Sequence, residues 1–155
     1  MNWIALLSSA VWVDLLFLSV HKFIYPMTTS LSVWYATYGM TAVTSDVLVL
    51  VLGVALASYL FPLSNLLVFS VIVQLIHDVL FYLLVINPLP AGQNSMIDLF
   101  KRYSSEGSWK ILVADSAMIA LTVLGMESLS TMNVDMVIFA GLFAIYALTY
   151  LVHTK

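Results

Sequence analysis

The sequence predicts an all-α integral membrane bundle, with five transmembrane helices and one short amphipathic helix at the interface. Three observations carry this reading. The 155 residues are 63% hydrophobic and only 8% charged, whereas a soluble domain carries about 25% charged residues to cover its surface. The mean hydropathy is +1.06. The apolar residues fall into five runs of about twenty, the length that crosses a bilayer at about 1.5 Å per residue. The whole chain reads as a single transmembrane domain.

Proline punctuates the runs. Pro26, Pro62, Pro88 and Pro90 each follow one, where a missing N–H does least harm. The spans fall at 3–24, 40–61, 66–86, 109–127 and 134–152. The first, "MNWIALLSSAVWVDLLFLSV", has the length of a signal peptide but no basic n-region, and it carries Asp14. It is read as a retained span. Residues 28–43, leading into the second, admit an interfacial piece, a re-entrant piece or part of the span itself, with "TSDV" as an N-cap around Asp46. The turn from Pro62 to Asn65 predicts an antiparallel hairpin of spans two and three. Ala140, Gly141, Ala144 and Ala147 give span five a small-residue face for close packing. Trp3, Tyr59, Trp109, Tyr146 and Tyr150 lie toward span ends, as in an aromatic belt.

Between spans three and four, "GQNSMIDLFKRYSSEG" places Met96, Leu99, Phe100 and Tyr103 at helical spacing. A short helix over 94–106 follows, capped by Asn94 or Ser95 and stopped near Gly107. It either lies on the interface with Lys101 and Arg102 toward lipid headgroups, or folds over the bundle mouth.

Five spans also sort the charges. Lys22, Lys101, Arg102, Lys110 and Lys155 are all the basic residues, and they fall on one side; Glu127 and Asp135 fall on the other. The positive-inside rule then puts the N-terminus out and the C-terminus in. With a formal net charge of −3, the chain lacks the basic surface that nucleic acid requires. The absence of cysteine excludes thiolate chemistry and thiolate metal sites. No motif implies a cofactor. The expected partners are the lipid bilayer, further copies of the chain and other membrane proteins.

Spans one to four each carry one aspartate near the same depth: Asp14, Asp46, Asp78 and Asp115, roughly 9–14 Å from the basic end at 1.5 Å per residue. Gln74, Asp78 and Tyr82 repeat at i,i+4 and line one helix face. His77 points about 100° away from Asp78, which leaves it able to meet a neighbouring span instead of its own aspartate. Ser116 follows Asp115. Acids at this depth are expensive in lipid. Metal binding by His77, Asp78 and Asp115, proton relay and polar-substrate binding are all open to this layer. So are helix caps, pairing with Lys22 and Lys110, and interhelical hydrogen bonds.

The order "QLIHDVLFY", "NPLPAGQNSMIDLFKRY", "LVADSAMI" resembles that of small multi-span membrane proteins of large nucleo-cytoplasmic DNA viruses, over residues 70–120. The resemblance implies a place in a virion's internal membrane or in assembly membranes, with His77, Asp78, Asp115 and Ser116 as family features. It implies no activity. The expectation is an organising membrane protein, with a small proton or cation transporter as the alternative and a lipid-acting metalloenzyme as a third.

Overall fold

The computed structural model describes residues 1–154, arranged as seven α-helices with no strand among the described residues. Five helices are long and apolar enough to cross a membrane. They are α1 (Trp3–Phe23), α3 (Met40–Leu60), the continuous helical run Leu63–Ile86 whose α-helical part is α4 (Leu66–Phe81), α6 (Trp109–Leu129) and α7 (Val134–Leu151). A 3₁₀ turn at Leu63–Asn65 leads into α4, and a π-helical segment at Tyr82–Ile86 extends it. The two short helices, α2 (Thr29–Tyr38) and α5 (Ser95–Gly107), lie at the same end of the bundle. Lys22, Lys101, Arg102 and Lys110 share that end; Lys155 lies outside the described residues.

The N-terminal helix is the central post. Half of its span is buried, against 17–33% for the other four, and it packs on α3, α6 and α7. Lipid tails are as apolar as any side chain, so close backbone approach and interhelical hydrogen bonds must hold such helices together. The sequence supplies both. Ser8 donates to the Val137 carbonyl at 3.0 Å and Ser9 to the Thr122 carbonyl at 2.9 Å. Gly141 faces Ser8 so tightly that a Cβ there would stand 2.6 Å from its Oγ. The small-residue face expected of the last span is therefore where α1 seats, with Gly141 and Ala144 buried.

The undecided stretch at 28–43 is a separate helix. Thr28 caps α2 by accepting from the Leu31 N–H at 3.1 Å. The helix ends at Gly39, whose φ of 52° and ψ of −128° suit glycine best. Asp46 is consequently not an N-cap: it is the seventh residue of α3, a full turn and more past the start. A competing turn signal at Gly39 starts the helix earlier than "TSDV" suggests.

The loop helix behaves as a lid on the bundle mouth. Asn94 is its cap, accepting from the N–H groups of Met96 at 2.9 Å and Ile97 at 3.2 Å. Ile97 and Leu99 are buried, and the Phe100 ring lies 5.0 Å from that of Trp34 on α2. Glu106 clasps α2, accepting from the Ser30 N–H at 2.9 Å and its hydroxyl at 2.8 Å. Of the two basic groups expected at headgroups, Arg102 is exposed, whereas Lys101 donates to the Leu89 carbonyl and ties down its own loop.

The chain runs twice through one plan. A long helix with an aspartate (α1, α4) is followed by a short helix (α2, α5), then a sharp junction, then a long helix with an aspartate (α3, α6). The junction backbones nearly coincide: φ 52°, ψ −128° at Gly39 and φ 49°, ψ −130° at Ser108. In both units the second aspartate stands seven residues past the junction, from 39 to 46 and from 108 to 115.

Candidate functional site

A cavity of about 690 Å³ opens between α3, α4 and α6, beneath the lid of α2 and α5. Asp46, Asp78 and Asp115 all line it, as do Gln74, His77 and Tyr82. The aspartate level inferred from depth is thus a convergence of side chains from three spans. Two of the expected residues do not reach the cavity: Ser116, which follows Asp115 on another face of α6, and Asp14, which lies behind its wall.

Asp14 joins the site through Tyr35. It is fully buried, and its Oδ1 lies 3.2 Å from the Tyr35 hydroxyl, which also meets Asp46 Oδ2 at 2.8 Å. Burial, then the Asp46 and Asp14 carboxyls, push the Tyr35 hydroxyl well above its ordinary 10.0, so it stays a neutral donor. The Trp34 indole N–H approaches Asp46 Oδ2 at 3.4 Å. Neither carboxyl pairs with a lysine among the described residues: the Lys22 ammonium instead donates to the carbonyls of Val152 and Thr154 beyond α7. Those free carbonyls at a helix end are the nearer attraction for a cation.

In the second unit the arrangement is different. Gln74 Nε2 donates to Asp78 Oδ1 at 2.7 Å, as the i,i+4 spacing requires. His77 does not turn to a neighbouring span, since its Nδ1 lies 3.1 Å from the same Asp78 Oδ1 and its ring stacks over Phe81. Adjacent residues meet here because the short aspartate side chain leans back toward the imidazole. Asp78 Oδ2 and Gln74 Oε1 are buried without any partner. Tyr82 continues the stripe in sequence, but it opens the π-helical segment and is largely exposed. Asp115 makes no hydrogen bond or ion pair among the described residues; its neighbours are Asp78 and Asp46. Tyr103 lies near all three carboxyls, which with its burial, the larger cause, push its hydroxyl far up.

Trp34, Tyr35 and Tyr103 are the site residues that sequence reasoning missed. The signal was their place one turn before the two junctions, five or four residues ahead of Gly39 and Ser108. His77, Asp78 and Asp115 do not form a metal set, for no three His, Asp or Glu side chains among the described residues approach closely enough to hold an ion. The short stretch "ATYGMTA", superficially like a potassium filter, is helical on both sides of Gly39 and presents no row of carbonyls.

No family model, curated protein or solved structure matches the chain.

Proposed function

We propose that the protein is a small membrane transporter or channel that takes a cation or proton into the cavity between α3, α4 and α6. The carrying observation is the convergence of Asp46, Asp78 and Asp115 on that cavity. Lys101, the one lysine or arginine among its lining residues, is engaged with the Leu89 carbonyl. Separate capping contacts would have scattered these acids. Ionisable groups inside a membrane are costly and mark ion pathways when they face a cavity. Two like-ordered units flanking a polar site match a recurring plan of secondary transporters. The orientation that fits the basic end is N-terminus out and C-terminus in.

The test is flux in proteoliposomes. The parent protein should carry protons or monovalent cations, and Asp78→Asn should abolish the flux while the protein still folds. A parent without flux sinks the transport reading.

A second reading, the organising membrane protein, draws support from exposed Arg102 on the lid and from the exposed outer face of α7, with Phe139, Leu142 and Tyr146. The resemblance to viral membrane proteins would place it in a virion or assembly membrane, with the bilayer and capsid or membrane proteins as partners. Under that reading the Asp→Asn variants lower stability and flux is absent throughout.

A further inference from the structure

We infer that the Asp78–Asp115 half of the cavity receives an organic ammonium ion, whose N–H donors do there what the Tyr35 hydroxyl does in the first half. This deepens the cation reading and rests on it.

The two units supply the comparison. In the first, Tyr35 stands between Asp14 and Asp46 and serves both, at 3.2 and 2.8 Å. In the second, the Tyr103 hydroxyl lies near Asp78 and Asp115 but bonds to neither among the described residues. The two donors that do engage, Gln74 Nε2 and His77 Nδ1, converge on Asp78 Oδ1, and Oδ2 is left bare and buried. The Gln74 amide cannot be turned round, because only its NH₂ can face a carboxylate oxygen. Its Oε1 is therefore also unpaired, on a side chain only 3% exposed that lines the cavity. Buried polar groups in folded proteins find partners, and the two unpaired atoms on residues that line the cavity, Asp78 Oδ2 and Gln74 Oε1, are acceptors, the unpaired Ser70 hydroxyl of α4 lying off the cavity. The missing partner is a donor.

Charge and shape narrow its class. Three carboxyls call for a cation. A bare metal ion is a poor fit, since no three ligating side chains close on one point among the described residues. The cavity of about 690 Å³ has the size that takes a small organic molecule. Phe81, Phe100 and Tyr103 stand in its wall, and aromatic faces attract ammonium groups. A primary ammonium on an apolar body satisfies the carboxylates with its N–H donors and the aromatic wall with its carbon. That chemistry is shared by free alkylamines and by the ethanolamine headgroup of a phospholipid.

The experiment uses the full chain in maltoside micelles, titrated calorimetrically with hexylammonium chloride and with sodium, potassium, magnesium and calcium chlorides. In parallel, native mass spectrometry of nanodiscs compares retained phosphatidylethanolamine with phosphatidylcholine. Asp115→Asn is the first variant, because its carboxyl has no protein partner to lose; Asp78→Asn is the second, and a melting curve certifies each. Hexylammonium should bind the parent, and each variant should weaken it about tenfold or more, the loss of one charge-assisted contact. Selective retention of phosphatidylethanolamine that Asp115→Asn removes identifies a lipid source; hexylammonium binding alone identifies a free amine. Carboxyl-dependent binding of an inorganic ion without ammonium binding overturns the inference and leaves the cation reading standing. No carboxyl-dependent binding of any kind overturns both the inference and the cation reading, and leaves only the proton arm, which the flux assay decides.

Discussion

Replacing Tyr35 with Phe removes one oxygen and leaves the ring, so no cavity opens and the effect can be read as hydrogen bonding alone. That oxygen serves two carboxyls. Asp46 loses a contact of 2.8 Å and keeps only the longer Trp34 contact of 3.4 Å. A hydrogen bond to a charged group contributes about 1.5–3 kcal/mol. Asp14 is worse placed: it is fully buried, its Oδ2 already lacks a partner, and Tyr35 is the only donor to Oδ1 among the described residues. Leaving a buried acceptor bare costs about 1–3 kcal/mol, but the phenol has one hydrogen to share between the two carboxyls, so these costs overlap. The expected loss is therefore about 1.5–3 kcal/mol, a sizeable part of the roughly 5–15 kcal/mol that holds a typical protein folded. Unfolding in mixed micelles, followed by far-ultraviolet circular dichroism, measures it. A double-mutant cycle with Asp14→Ala should show a coupling of about 1 kcal/mol or more, because the two side chains share one contact. A Tyr35→Phe protein within about 0.5 kcal/mol of the parent would refute the reasoning.

Three further outcomes follow from the packing and the lid. Gly141→Ala places a Cβ 2.6 Å from Ser8 Oγ and should destabilise by about 1–3 kcal/mol through overpacking, less the gain of about 1 kcal/mol in helix propensity. In a Ser8→Ala background that cost should shrink or reverse, and an unchanged cost in the same unfolding assay would show that the clash is elsewhere. Ser108→Gly relieves a residue held at φ 49° and should raise stability by up to about 1 kcal/mol, seen as a higher melting temperature; no rise would mean the junction is unstrained. The Ser30 N–H and hydroxyl hold the Glu106 carboxyl below its ordinary 4.5. A depressed folded value stabilises the clasp above about pH 4.5, and this is lost as pH falls through the lower folded value. A spin-label pair on α2 and α5 should report separation in acid, and Glu106→Gln should be open at neutral pH; a distance that ignores both would disprove the clasp.

Most of the bundle was legible because apolar run length decides a membrane span almost by itself. Proline and the one-sided lysines then settled the count. The aspartate level was legible too, since depth follows from residue number at a fixed rise per residue. Partners were another matter. The contact between Gln74 and Asp78 could be read from i,i+4 spacing, but Tyr35 reaches Asp14 from 21 positions away, and no periodicity connects different helices. The stretch around Gly39 misled because two start signals competed, and a glycine at positive φ ended one helix before "TSDV" could begin another. The repeat was hidden for the same reason. Its second junction uses Ser108 where the first uses glycine, so the match lies in backbone angles and aspartate spacing rather than in residue identity.

The central position of α1 has a consequence for how the chain is made. This helix precedes its partners in the chain, yet Ser9 and Ser8 find their acceptors only at Thr122 and Val137, on the fourth and fifth of the five crossings. Until those helices arrive the two hydroxyls lack their final acceptors, an exposure that lipid penalises. The first of the five crossings is thus completed only by the fifth. A chain halted before α7 keeps four crossings but lacks the seat for α1, so the arrival of α7, rather than the insertion of α1 itself, is the event that closes the bundle.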